Sequence, residues 1–259
     1  MKELQVSLNS YGKTLRGMLH VPGGAGKYPC VIYFHGSTTS KHDGNFLFRD
    51  IARELLKANI ASLRMDYSGS GDSDGEFSNV TLWSQINDAV SAVNYVLNRK
   101  EIDAEKIGVF GMGSGGFIST AISGKFPIKS IVLLNAVAKY KDYWKKNILP
   151  QSFGLRNRNG KKLDLKGLGV GKEYLKSVND TEGKNLESLR NFNGAMLIVH
   201  EDKDNVSVPI SEAYLHAKTA GSKIKTIIKL KSCDDLQRKN NNRGKIIKLS
   251  YKWFKMYLK

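Results

Sequence analysis

Cysteine is scarce. The 259 residues hold two, Cys30 and Cys233, far apart in the chain. That excludes a disulfide-stapled secreted scaffold and any Cys-x-x-Cys metal or redox motif, and it makes the reducing cytoplasm the expected compartment. Long apolar runs are missing as well. None approaches the roughly 18–20 residues that cross a bilayer, so no membrane span is expected. The stretch MKELQVSLNSYGKTLRG lacks the apolar core of a signal peptide and reads as two short strands around a Tyr11-Gly12-Lys13 turn. There is no internal repeat, and no low-complexity segment beyond a short asparagine run. Negative charge is in short supply, with 24 Asp and Glu against 41 Lys and Arg, a net charge of +17.

The excess is not spread evenly. Residues 136–190 carry 13 basic against 6 acidic side chains, a net of +7. Residues 218–259 carry 13 against 2, a net of +11, and the remainder balances at 15 against 16, a net of −1. Such a surface attracts an anionic partner: nucleic acid, acidic lipid, or a phosphorylated or carboxylated ligand. A lysine- and asparagine-rich composition on solvated faces accounts for it equally simply, and Lys239-Asn240-Asn241-Asn242-Arg243 has that look. No RNP, KH or helix-turn-helix signature accompanies the charge, so nucleic acid is the weaker partner class.

What is present is an alternation of apolar runs and helical patterns, which predicts an α/β fold with a mostly parallel sheet. Cys30–Phe34, Ile60–Met65, Lys106–Phe110, Ile131–Leu134, Ala195–Val199 and Lys225–Leu230 read as strands. Phe48, Ile51, Leu55 and Leu56 mark one helix at 45–59. Leu82, Ile86, Ala89, Val90, Val93, Val96 and Leu97 mark a longer one at 81–99. Another helix follows the turn at Gly111–Gly116 and runs through Ile122, and the chain closes in a helix rich in lysine and aromatics. The roughly sixty residues between the strands at 131 and 195 exceed an ordinary loop. One domain, 1–259, with a lid insertion at about 136–190 is expected.

Four loop motifs stand in order at the ends of these strands. They are His35-Gly36, then Arg64-Met65-Asp66-Tyr67-Ser68-Gly69-Ser70-Gly71-Asp72-Ser73, then Gly111-Met112-Gly113-Ser114-Gly115-Gly116, then Glu201-Asp202-Lys203-Asp204-Asn205-Val206-Ser207-Val208-Pro209. In this order the chain resembles the α/β-hydrolase superfamily, and within it the cinnamoyl and feruloyl esterases and related serine-peptidase-like acyl hydrolases. The resemblance runs most closely from Val31 to Ile122 and continues in pieces to about Leu236. It implies an α/β-hydrolase fold, esterase-type chemistry, and no cofactor or metal.

The family's nucleophile sits in Gly-x-Ser-x-Gly, a strained turn that lifts the serine above the sheet. Aligned on Gly111 and Gly115, this chain has Gly113 at that position. Glycine tolerates positive φ without strain, so the turn can persist without its chemistry. Ser114 is one residue late; by the resemblance it supplies a backbone N–H to the oxyanion hole, its side chain pointing elsewhere. The backbone N–H of Ser37, after His35 and Gly36, is the other implied donor. A shift of register that makes Ser114 the nucleophile stays open. Asp204 matches the triad acid that orients the imidazole. Asp235 stands where the family has its histidine, and none of the five histidines, His20, His35, His42, His200 and His216, follows the last strand. His35 reads as a structural loop residue that borders the ligand together with Gly36, and His200 as a strand-end residue.

Three functions follow. A binding protein would hold a small, anionic or acyl-containing ligand in the old pocket. A rearranged hydrolase would use Ser114 or a bound water. A carboxylate pair, Asp204 with Asp235, would share a proton and act as an acid or cation site, if it does anything beyond sharing it. Tyr140, Tyr143, Trp144 and Phe153 are expected either to line the pocket or to form the lid's own small core. Oligomeric state is left open by the sequence.

Overall fold

The structure, a computed structural model, describes residues 2–148, 163–165, 168–202, 208–231 and 241–259. The chain opens with β1 (Lys2–Ser10) and β2 (Lys13–Val21), paired antiparallel with Ser10 opposite Lys13. Tyr11 and Gly12 form the two-residue turn with φ of 48° and 81°, the backbone a tight hairpin requires. The strands are nine residues each, longer than the sequence alone suggested.

β3 (Tyr28–Phe34), α1 (Asp43–Lys57) and β4 (Ala61–Met65) follow. After a 3-10 turn at Phe77–Asn79 come α2 (Leu82–Leu97), β5 (Ile102–Met112), α3 (Ser114–Ser123) and β6 (Ile128–Leu134). The next segment holds α4 (Tyr140–Tyr143), a π turn at Trp144–Ile148, a hairpin of β7 (Leu163–Leu165) and β8 (Leu168–Val170), α5 (Lys172–Asp180) and α6 (Lys184–Arg190). The chain ends with β9 (Ala195–Asp202), α7 (Ile210–Thr219), β10 (Lys225–Lys231) and α8 (Asn241–Leu258).

The main sheet has eight strands in the order β1-β2-β4-β3-β5-β6-β9-β10. β2 pairs antiparallel with β1 and β4; the pairs from β4 through β10 are parallel. Both faces are covered, and the strands show why. In β3, Cys30, Ile32 and Phe34 enter one core, which includes Ile86, Val93 and Ile118, while Val31 and Tyr33 enter the other, with Phe48, Ile51 and Phe254. Side chains of period two feed two helical layers, so a central strand reads as a continuous apolar run. α2 starts at a capping box, in which Thr81 and Ser84 satisfy each other's backbone amides. α8 closes the second face by lying over Gly108, where an added Cβ would stand 2.9 Å from both Phe254 and Leu258. Among the described residues no helix is long and apolar enough to cross a membrane.

Candidate functional site

The strand order reverses direction between β3 and β5. The connection after β3 runs to α1 on one face, and the one after β5 runs to α3 on the other. Loops diverge there, and the crevice at the carboxyl ends of the strands is where open α/β sheets bind ligands. His35-Gly36-Ser37 and Met112-Gly113-Ser114 are the two loop starts that flank it.

Gly113 sits at the strand-to-helix turn with φ 56° and ψ −122°, a combination that strains any residue with a Cβ. Its amide donates to Leu134, and its carbonyl accepts from both Gly116 and Val137. The turn is therefore pinned to β6 and to the first turn of α3. A Cβ built on Gly113 meets nothing within 4 Å, so the position opens on free space. Gly115 is required for a different reason: a Cβ there would collide with the Phe34 and His35 carbonyls.

The Ser114 side chain turns to the loop after β3. Its Oγ accepts the Ser37 amide at 2.5 Å and the Ser37 hydroxyl at 2.9 Å. The Ser37 hydroxyl contacts Tyr140 Oη at 2.8 Å, and Tyr140 contacts Tyr174 Oη at 2.6 Å. Four hydroxyls thus form one buried chain from the elbow to α5. Burial, reinforced by Tyr174, raises the Tyr140 phenol well above its usual value, and burial takes Tyr174 up to about 12. Both rings stay protonated at neutral pH. They donate hydrogen bonds and do not act as bases. Tyr143, raised to about 12 chiefly by burial, and Trp144 pack against this pair, with ring centroids 5.7 Å from Tyr140 and 4.9 Å from Tyr174.

His35 is a structural loop residue, as the sequence reading had it: it is buried, with Nδ1 2.8 Å from the Gly36 carbonyl and Nε2 accepting the Tyr67 amide at 3.3 Å. Burial lowers its pKa. Both nitrogens are spent on backbone, so its side chain holds the loop. Gly36 is held likewise, its amide donating to Asp43 at 2.7 Å. His200 is also structural: buried, 2.9 Å from the Val208 carbonyl, with its pKa lowered chiefly by burial. No histidine nitrogen is hydrogen-bonded to Ser114 or Ser37. Asp204, Asp235 and Phe153 lie outside the described residues.

Two clusters escaped the sequence reading. Asp66 is fully buried and bonds the Lys41 amide and ammonium, each at 2.6 Å, and the Asp72 amide at 3.0 Å. Burial alone would lower the Lys41 pKa, but the Asp66 and Asp72 carboxylates outweigh it and raise it. This pair ties the glycine-rich loop to α1. The second cluster is a cleft of about 220 Å³ between the segment after β6 and the start of α7, lined by Val137, Lys139, Tyr143, Lys146, Pro209 and Glu212 among others. Glu212 accepts the Ala138 and Lys139 amides at 2.6 and 2.7 Å, and the other charged groups of the cleft are Lys139, Lys146 and Asp142. Among the described residues no group of side chains could hold a metal ion.

Structures with known folds share this arrangement. The chain superposes on Est1E from Butyrivibrio proteoclasticus, solved with ferulic acid bound, at a TM-score of 0.82 and 19% identity over 97% of this chain and 98% of that one. It also superposes on the esterase domain of a Rhodothermus marinus protein at a TM-score of 0.71 and 19% identity over 100% of both chains. In sequence it is 32% identical over 113 residues to a 31.7 kDa protein in the traX-finO intergenic region of Escherichia coli, covering 43% of this chain and 38% of that protein. To the polyketide transferase ATR5 of Stachybotrys chlorohalonatus it is 34% identical over 109 residues, 42% of this chain and 35% of that one. The matched part thus spans little more than a third of these curated relatives. A family model for the serine aminopeptidases, S33, matches residues 29–169. That match takes in the loop after β3, the glycine-rich loop and the elbow at Gly113, and the chain belongs to this family of α/β hydrolases.

Proposed function

We propose that this chain uses its esterase-like scaffold to bind a small acyl-bearing or carboxylate molecule at the elbow, and that it does not hydrolyse esters through a serine nucleophile. The observation that carries the reading is Gly113, which keeps the backbone of the turn, with φ 56° and ψ −122°, while offering no side chain. Serine-type acyl transfer needs an oxygen at that point and a base beside it. Ser114 is a poor substitute. Its oxygen already accepts two hydrogen bonds from Ser37, and the neighbouring phenol, Tyr140, is held protonated by burial. The space beside Gly113, the hydroxyl chain and the two lysines of the adjoining cleft suit a ligand with a carbonyl or carboxylate end.

The test is turnover of a short acyl aryl ester by the wild type and by a Gly113→Ser/Asp235→His double variant. The expected result is no rate above background for the wild type and a measurable gain for the double variant. Wild-type turnover that Ser114→Ala abolishes would overturn the reading and make the chain a hydrolase with a rebuilt site.

A further inference from the structure

α8 carries a charge pattern that the fold does not require. Lys245, Lys248, Lys252, Lys255 and Lys259 recur at alternating intervals of three and four, which places them on one face of a helix. All five are exposed, while Ile246, Ser250, Phe254 and Leu258 are buried on the opposite side. The row is about 21 Å long at the rise of an α-helix. Residues 241–259 contain no Asp or Glu, and among the described residues no carboxylate is ion-paired with any of the five.

Helix stability does not account for the pattern. Like charges three and four residues apart repel along a helix surface. The first turn has no acidic residue, although the positive end of the helix dipole lies there. Arg243, near the same end, is offset by its ion pair with Asp50 at 2.5 Å; among the described residues Lys245 has no carboxylate partner. Lys255, in the last turn, and Lys259, just past it, stand where a cation helps the helix; Lys245, Lys248 and Lys252 do not. A row that costs the isolated helix stability is accounted for when an extended anionic surface lies against it.

We propose that this face of α8 docks the protein peripherally on membranes containing anionic lipid. The cations are lysines, point charges suited to a diffuse layer of headgroups rather than to the paired contacts an arginine fork makes. Met256, which follows Lys252 by one turn, is 70% exposed and offers an apolar tooth to the headgroup boundary. Tyr251 flanks the row half-buried, with the Lys255 ammonium 5.5 Å over its ring. Tryptophan and tyrosine favour that boundary. The half-buried Tyr251 ring argues against single-stranded nucleic acid, whose bases stack on exposed aromatic faces.

The experiment is co-sedimentation of the full chain with vesicles of phosphatidylcholine alone and of equimolar phosphatidylglycerol and phosphatidylcholine. Binding is expected only with phosphatidylglycerol and is expected to weaken steeply as salt rises. Lys248→Glu/Lys252→Glu should lower partition at least 20-fold, taking roughly five-fold for each lysine charge. Met256→Ala should weaken it several-fold without changing the salt dependence. Lys27→Glu/Lys100→Glu, which makes the same charge change at two exposed lysines away from α8, controls for net charge. An equal loss in that control would overturn the proposal, and so would no vesicle binding at low salt. Binding of polyuridylic acid that the α8 pair abolishes, with vesicles ignored, would assign the face to nucleic acid instead.

Discussion

Ser114 and Ser37 are 77 residues apart in sequence and meet through a 2.5 Å bond between a backbone amide and a hydroxyl oxygen. By the resemblance that amide is an oxyanion donor; in this structure it is occupied by the protein's own side chain. An amide held in this way is shielded from exchange with water. Ser114→Ala is therefore expected to speed hydrogen exchange at the Ser37 amide and to lower stability by about 1 kcal/mol, the net worth of an ordinary hydrogen bond. Exchange at Ser37 as slow as in the wild type would show that the bond does not form in solution. Neither half of the contact can be read from local sequence. Ser114 was legible as a neighbour of the empty elbow, but the direction of its side chain depends on a loop from another strand. The structural role of His35 was legible, but its partner Tyr67 was not, since that contact is set by how the glycine-rich loop folds over β3.

At the scale of elements, periodicity carried the reading well. β3, α1, β4 and α2 lie within two residues of their expected places at nearly every end, because strands buried on both faces and helices buried on one leave plain apolar patterns. The region between β6 and β9 was less legible. Its helices α5 and α6 are short, and Tyr174 reaches Tyr140 across 34 residues. The approach of α8 to β5 depends on a single glycine. Gly108 lets Phe254 and Leu258 sit directly on β5, so Gly108→Val is expected to push the helix outward. The expected cost is about 1–3 kcal/mol, the range for overpacking a filled core, read as a lower denaturant midpoint. A midpoint unchanged within error would mean that α8 contributes little to the folded state. This substitution also separates packing from charge, since it leaves the lysine row intact.

Across the whole molecule, acid should be the weak point. Burial first, then the nearby Arg64, takes the His20 pKa down to about 4; burial first, then His200, takes His216 down to about 3. Both are held neutral in the fold, whereas the unfolded chain protonates them near the ordinary histidine value of about 6.5. Protons therefore favour the unfolded state as pH falls. The stability these two residues supply is complete above about pH 6.5. It declines as pH drops toward 4 for His20 and toward 3 for His216, at up to about 1.4 kcal/mol per pH unit for each. Thermal melts from pH 7.5 to 4.5 should show the midpoint falling, and His216→Phe should flatten part of that fall. A midpoint independent of pH over the range would contradict it.

Much was determined by the sequence alone. The alternation of apolar runs sets the sheet and its two helical layers, and the order of the four loop motifs sets the family. The glycine at 113 carries no side-chain oxygen however the loops arrange themselves, because no backbone geometry supplies one. The tertiary structure decided what fills the vacancy. Whether Ser114 faces the cleft, whether His35 has a free nitrogen and whether the Tyr140 hydroxyl joins the elbow all depend on loops that approach one another only once β3 and β5 lie side by side. Those contacts bridge long stretches of chain through single hydrogen bonds, and no periodicity or composition encodes them.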